Sequence, residues 1–455
     1  MSTYRISSWD KSYKFMVNSI LKKLLPAIML YFSMSFIADL HIHSRYSRAT
    51  SRDMCLEEIH RWAQLKGIKV IGTGDLTHPA WYSELREKLI LSQNGMYELR
   101  EALRRPVPDP CSSEVFFIPS AEISCIYSRN GRIRKIHLII YLPDLDDAAK
   151  LNKELSKIGN LGADGRPILG LDAKELLQIV LNISPDGVVV PAHAWTPHFS
   201  IFGSESGFDS LEECFEDLTP YIYAIETGLS SDPPMNWRLS SLDRITLISN
   251  SDAHSPSKIG REANIINSDM TYSSIMDAIK RREGFVGTIE FFPEEGKYHY
   301  DGHRSCGVSL SPSESGRHNN ICPVCGRRLT IGVMNRVSRL ADRPEGFVPP
   351  GAPLFRSIIP LTEIISEVSK KGPGTKHVER EYLNLLSNLG SEFHILLESP
   401  LEEIEKVSSP LLREAIERVR DGRVNISPGY DGVYGKIRIF EETGQEPQKG
   451  QGILF

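Results

Sequence analysis

The chain has 455 residues, seven cysteines and a formal net charge of −5 at neutral pH. An acidic total excludes a protein held to nucleic acid by its overall charge, so any such contact has to come from local basic patches. Cys55, Cys111, Cys125 and Cys214 are scattered in core or helix positions, which excludes a disulfide framework and suits a reducing cytoplasm.

Residues 1–33 read as an extension that nothing downstream requires, and the expectation is a spurious upstream start with translation from Met34. Ile28 to Ile37 is apolar, but Lys22, Lys23 and Pro26 leave too short a stretch to span a bilayer, so no membrane attachment is expected. The first strand-like run ends in Asp39-Leu40-His41-Ile42-His43-Ser44. Alternation along a strand points His41 and His43 to one side, where both can reach one ion.

The pattern recurs in chain order. Lys69 to Gly74 delivers Asp75, Val115 to Ala121 delivers Glu122, and Ile136 to Ile140 carries His137. Val188 to Ala192 delivers His193, Tyr221 to Ile225 delivers Glu226, and Ile245 to Ser251 delivers Asp252 and His254. Amphipathic stretches such as Cys55 to Gly67 and Ala173 to Leu181 lie between most runs. That strand–helix order favours a parallel sheet closed into a barrel, with the site at the C-terminal strand ends. A lone strand-end His is usually a hydrogen-bonded core residue, and a lone Asp is usually a helix cap. Repetition at one end of successive strands favours a shared metal site.

Imidazoles mixed with carboxylates suit zinc, manganese or iron(II), with magnesium as a further candidate, and Glu122 can bridge two ions. Two or three such divalent ions generate hydroxide and clamp phosphoryl oxygens, which is what hydrolysis of a phosphate ester needs. Asp75 and His193 are candidate catalytic groups as well as ligands. Asp232, in the loop after Glu226, is a third, to orient the attacking water or to cap a turn next to Pro233.

These residues resemble the PHP superfamily of phosphoesterases over about residues 36 to 290. The resemblance implies a distorted seven-stranded barrel with His41, His43, Glu122, His137, His193, Asp252 and His254 as metal ligands. One departure concerns the third metal position, because Leu76 stands where many members have a His, and His78 follows two residues later.

Downstream, His303-Arg304-Ser305-Cys306 and Cys322-Pro323-Val324-Cys325-Gly326 have the spacing of a structural zinc site. Cys306, Cys322 and Cys325 are three ligands, and His303 is the preferred fourth, with His299 and His318 as rivals. The surrounding segment is locally basic, and Arg327, Arg328 and Arg336 read as phosphate-backbone contacts. Arg129, Arg132, Arg134 and Lys135 form a second such patch.

The Glu226 to Arg238 stretch, the Cys306 to Cys325 module and Pro428-Gly429-Tyr430-Asp431-Gly432-Val433-Tyr434-Gly435 resemble the endonuclease Q family. That resemblance implies cleavage of damaged DNA on the 5′ side of deaminated bases or abasic sites. Such an enzyme takes a nucleotide out of the stack, which needs aromatic groups near the barrel mouth. The loop after His193 supplies them, and Trp195, His198, Phe199 and Phe202 are the candidates for DNA wedge or base platform.

Helical patterns from Leu361 to Lys370, Val378 to Leu389 and Leu411 to Arg420 predict a small helical domain packed on the zinc module. The tail from Gln448 to Phe455 resembles peptides that dock sliding clamps. The expected organisation is therefore α/β: an extension (1–33), a distorted seven-stranded (βα) barrel (34–292), a zinc module (293–345), a helical domain (346–440) and a tail (441–455). A phosphatase acting on a small monoester, or a non-enzymatic DNA- or clamp-binding scaffold, are the alternatives.

Overall fold

The computed structural model describes residues 35–441. The 1–33 extension and the Gln448 to Phe455 tail lie outside the described residues. Among the described residues, no helix is long and apolar enough to cross a membrane.

Among the described residues short β-branched runs form five sheets, three of which surround the metal-ligand candidates. In the largest, Phe36–Asp39 lies parallel to Ile68–Gly72, which lies parallel to Phe116–Ile118. On its other side Phe36–Asp39 runs antiparallel to Ala263–Ile266, followed by Phe285–Glu290 and an edge strand, Leu354–Ser357. Leu89–Leu91 and Tyr97–Leu99 complete its eight strands. The second sheet is built on a hairpin of Ser120–Arg129 and Arg132–Tyr141, flanked by Ile168–Leu169 and Val188–Pro191. The third is the parallel pair Ala224–Glu226 and Thr246–Ile248.

The expected parallel pairing breaks at that hairpin. Asn130 and Gly131 both adopt positive φ, 55° and 72°, as a two-residue turn requires, so the chain doubles back without a helix. Glu122 and His137 therefore sit on paired strands, and the sheet system is mixed rather than parallel. All three sheets nevertheless share one apolar interior: Ala38, Val70 and Ile118 meet Ile139, Val188 and Val190, and Ala224 and Ile248 close the cluster. Burial of these side chains, worth about 1.5–3 kcal/mol each for the larger ones, fixes which strand ends converge.

The helical region contains Leu361–Ser369, Lys376–Leu389 and Pro410–Arg420 at the expected places, with the shorter Glu392–Leu397 and Leu401–Val407 between them. Its expected packing on the zinc module is not what forms. The helices lie against the helix Leu56–Lys66 beside the largest sheet: Trp62 stacks on Tyr382 with centroids 6.2 Å apart, and Lys66 pairs with Glu392 at 2.7 Å. The module is instead met by the Asn425–Ser427 and Lys436–Arg438 hairpin and the loop between them.

Candidate metal centre and nucleic-acid interface

Strand ends bring His41, His43, Glu122 and Asp252 together, and Glu122, His137 and His193 likewise, each set with ligand atoms within 4.8 Å of one another. Glu122 belongs to both. Its Oε2 lies 3.2 Å from His43 Nε2 and 3.6 Å from His41 Nε2, while Oε1 lies 2.7 Å from His137 Nδ1 and 3.1 Å from His193 Nε2. Asp252 Oδ1 closes the first group at 3.0 Å from His43 Nε2. A single carboxylate thus presents one oxygen to each histidine pair.

The ring orientations are imposed from behind. His41 Nδ1 meets Glu226 Oε2 at 2.9 Å, and His43 Nδ1 meets Asp75 Oδ1 at 2.9 Å, so both rings turn Nε2 toward Glu122. Those Nε2 atoms and Asp252 Oδ1 are buried without a hydrogen-bond partner. Buried polar atoms are rarely left so, and a converging set of orphaned imidazole nitrogens and carboxylate oxygens fits a divalent ion of the zinc, manganese or iron(II) type.

Burial opposes charge throughout the site. On His41 the carboxylates of Glu226 and Glu122 outweigh it and hold the pKa well above the ordinary value. On His137 burial wins over Glu122 and pushes the pKa down to about 4, which keeps that ring neutral and suited to ligation. Burial would also raise Glu122, but His137 and Arg166 reverse it and hold the carboxylate well below its usual range.

Asp75 is placed differently from the expectation of a metal ligand. Its Oδ2 accepts from the Ser44 backbone at 2.7 Å, Ser44 Oγ at 2.7 Å and Ser47 Oγ at 2.9 Å, and Oδ1 is spent on His43. It is a carboxylate that orients the His43 ring. Glu226, noted at a strand end, has the same relation to His41. His254 lies beside the first group, its ring 4.5 Å from His43 and its Nδ1 donating to the Asp252 carbonyl at 2.9 Å, without joining the ligand set. His78 is stacked on Tyr46 at the start of the Pro79–Lys88 helix. Asp232 is not brought to either cluster: its side chain accepts from Met235 N at 3.0 Å and caps the turn Pro233–Asn236.

Backbone strain gathers here. Asp75, His193 and Asp252 have φ of 47°, 30° and 47°, in the left-handed region. His193 is held against Gly228, where a Cβ would meet the His193 Cβ at 2.6 Å, so the Thr227-Gly228 turn can only carry glycine.

One residue escaped the sequence reading. Arg166 follows a loop pinned by Gly165 N to the Tyr46 carbonyl at 3.0 Å and by Asp164 Oδ1, which accepts from Arg48 N at 3.2 Å. This places the Arg166 guanidinium 2.9 Å from Glu122 Oε2, with part of the side chain open to solvent. No motif surrounds it, and only the contact order of the fold brings it in.

The expected DNA contacts divide. Trp195 and Phe202 are each 1% exposed and pack together at 4.9 Å, with the Trp195 indole N–H donating to Asn236 Oδ1 at 2.8 Å. They are core residues, because the loop folds inward to bury its largest rings, and they are not available as a wedge. His198 is exposed, and half-buried Phe199 stands 4.8 Å from the His137 ring, beside the site. Arg336 is also corrected: it is 4% exposed and donates to the carbonyls of Phe202 and Phe208 at 2.9 Å, clamping the module to the loop after His193. Arg327 and Arg328 are exposed. In the second patch Arg129 is committed to Asp172 and Arg134 to the Phe208 ring, leaving Arg132 exposed and Lys135 half-buried over the Phe199 ring.

In the basic module His303, Cys306, Cys322 and Cys325 form one group with ligand atoms within 4.8 Å, and all seven cysteines are unpaired. The rivals stand apart: His299 is buried against Tyr300, and His318 caps a helix. Four soft and borderline donors at this spacing fit a tetrahedral zinc.

A family model described as the MJ0043 C-terminal domain matches residues 360–423. The chain is 32% identical to the uncharacterized protein MJ0043 of Methanocaldococcus jannaschii over 56% of its own length, but spans only 32% of that protein. It is 31% identical to the uncharacterized protein YqxK of Bacillus subtilis, covering 67% of this chain and 74% of that one. Among solved structures it is similar to the lesion-specific endonuclease PfuEndoQ of Pyrococcus furiosus, with a TM-score of 0.78, 32% identity, and 90% of this chain and 96% of that one covered. It is similar too to an endonuclease Q bound to a 27-mer duplex with an abasic lesion at the active site, with a TM-score of 0.76, 32% identity and 90% and 98% covered. A likeness of that identity over nearly the whole of both chains, with the His–carboxylate centre in place, shows that this chain belongs to the endonuclease Q family, a group of metal-dependent DNA repair endonucleases.

Proposed function

We propose that the chain is a lesion-specific endodeoxyribonuclease that hydrolyses the phosphodiester 5′ of a deaminated base (uracil, hypoxanthine or xanthine) or of an abasic site, leaving a 3′-hydroxyl and a 5′-phosphate. The observation that carries this reading is Glu122, whose two oxygens face two separate histidine sets as a bridging carboxylate does. His41, His43, Glu122 and Asp252 would hold one divalent ion and Glu122, His137 and His193 a second, which would supply an activated hydroxide and a clamp for phosphoryl oxygens. We read the three sheets as parts of one distorted barrel whose mouth carries this centre, with a structural zinc in the module.

The protein's own residues do the rest. Asp75 and Glu226 hold His43 and His41 in the tautomer that leaves Nε2 free to ligate. Thr196 Oγ1, 3.1 Å from His193 Nδ1, does the same for His193. Arg166 offers a cation at the rim of the site, where a phosphate arriving at the centre would place its non-bridging oxygens. His198 and Phe199 lie on the loop where an extruded nucleotide would pass, and Phe199 presents a ring for stacking.

The test is incubation of the metal-loaded protein with duplexes carrying uracil, hypoxanthine or an abasic site, beside an undamaged duplex and a phosphate monoester. Incision only at the 5′ side of lesions is expected. Intact duplexes with turnover of the monoester would establish a phosphatase instead.

A further inference from the structure

The loop Pro428–Gly435 has no part in the metal centre, yet it is fastened to the basic module more firmly than a connecting loop needs. Gly429 N donates to the Glu294 carbonyl at 2.8 Å, Tyr300 N to the Gly429 carbonyl at 2.9 Å, Gly432 N to the Lys297 carbonyl at 2.9 Å and Gly435 N to the Glu295 carbonyl at 3.0 Å. Asp431 binds the module twice more, accepting from Arg304 N and from Thr330 Oγ1, both at 2.6 Å. Gly432, at φ 83°, takes a left-handed conformation that favours glycine, and it faces Arg304 Nη1 and Tyr298 Oη.

What this fastening holds in place is an aromatic surface. Tyr434 is 68% exposed and Tyr298 is 37% exposed. The Lys297 ammonium stands between them, 5.5 Å from the Tyr434 centroid and 5.9 Å from that of Tyr298. Arg304 and Lys297 are exposed beside the rings, Lys436 is exposed two residues beyond Tyr434, and Arg327 and Arg328 are exposed elsewhere on the same module. A tyrosine with two-thirds of its surface in water gains little for the fold, whereas a fixed ring flanked by cations matches a π-face attached to a phosphate backbone.

We propose that Tyr298, Lys297 and Tyr434 form a stacking platform for unpaired nucleobases of a DNA strand, with Arg304 and Lys436 contacting the adjoining phosphates. The proposal rests on the DNA reading above and extends it to a second contact area, built on the module and distinct from the metal centre. Because the loop is already fixed, binding orders little and the rings are presented in advance.

The experiment uses the full zinc-containing chain and an undamaged gapped duplex with 2-aminopurine among its unpaired bases, which is not a substrate for incision. The unaltered protein and Tyr434→Trp are expected to quench the fluorophore. Tyr434→Ala and Tyr298→Ala are expected to lose the quench and to bind on the order of tenfold more weakly, and Lys297→Gln to lower the salt slope of binding by about one. Both tyrosines are exposed, so zinc content and melting temperature should stay unchanged, which checks that the fold is intact. Quenching and affinity equal to the unaltered protein in both Ala variants would overturn the platform and leave the surface to a protein partner or to solvent. If the unaltered protein incises no lesion duplex but the Ala variants lose binding, the lesion reading fails and the platform stands. Normal incision by the unaltered protein, with binding unaffected in the variants, overturns the platform and leaves the lesion reading standing.

Discussion

Asp75 and Glu226 are each fully buried behind a histidine, and each contributes through ring orientation rather than by ligation. Asp75→Asn and Glu226→Gln should therefore preserve the fold while lowering metal affinity about 10–100-fold, as losses of such supporting carboxylates do. Metal titration of the purified variants checks this, and affinities equal to the unaltered protein would remove both residues from the site. Their roles were not readable from sequence. A carboxylate one step beyond a strand can ligate, orient or cap, and only the side-chain partners distinguish Asp75, Asp252 and Asp232. Glu290 carries a different signature: burial, reinforced by Asp232 and opposed by the hydrogen bonds from Thr227 and Ser249, raises its pKa to about 8. A raised carboxyl pKa means that the folded state keeps a proton the unfolded chain releases. The associated stability is present below about pH 4.5 and is lost as pH rises toward 8. Glu290→Gln, which mimics the protonated form and can still meet Thr227 and Ser249, should raise the melting temperature at about pH 8 and leave it unchanged near pH 4.5. A melting curve shifted equally at both values would assign the effect to packing.

At the scale of elements, the sequence showed strand ends clearly because each run is short, β-branched and followed at once by a polar ligand. It showed pairing poorly, since Asn130-Gly131 closes an antiparallel hairpin where a parallel sheet was expected, and hydrogen-bond direction leaves no trace in hydrophobicity. The aromatic loop after His193 misled for a related reason. A cluster of Trp and Phe reads equally as platform or core, and here the loop folds Trp195 and Phe202 under itself, with Arg336 sealing the Phe202 and Phe208 carbonyls. Arg336 and Arg327 look alike as sequence, yet one is buried and one exposed. Arg336→Ala should leave two carbonyls unsatisfied and cost about 2–4 kcal/mol, seen as a lower melting temperature and faster proteolysis between residues 293 and 345. Arg327→Ala with Arg328→Ala should keep the melting temperature and weaken DNA binding with a shallower salt dependence. Equal behaviour of the two sets would contradict this division.

Over the whole molecule, the helical region and the module reach the barrel by separate routes. The module is held by Arg336, and the helical region by the Trp62–Tyr382 stack and by Lys66, which is 2% exposed and ends on Glu392. Glu392 also accepts from Leu361 N at 3.0 Å and Tyr382 Oη at 2.8 Å, so one carboxylate gathers the start of one helix, the side of another and the end of a barrel helix. Removing the ammonium leaves that carboxylate buried with neutral donors only, and breaking a buried pair on one side costs about 3–5 kcal/mol. Lys66→Met keeps the length and apolar stem of the side chain, so the loss is electrostatic rather than a cavity. The expected result is a melting profile that splits, with the segment from Leu361 to Arg420 becoming protease-sensitive first and metal binding at the His41–Glu122 centre persisting to a higher temperature. A single transition at the original temperature would mean that the helical region is held by its apolar contacts alone. Loss of metal binding in step with the helices would mean that barrel and helices form one cooperative unit.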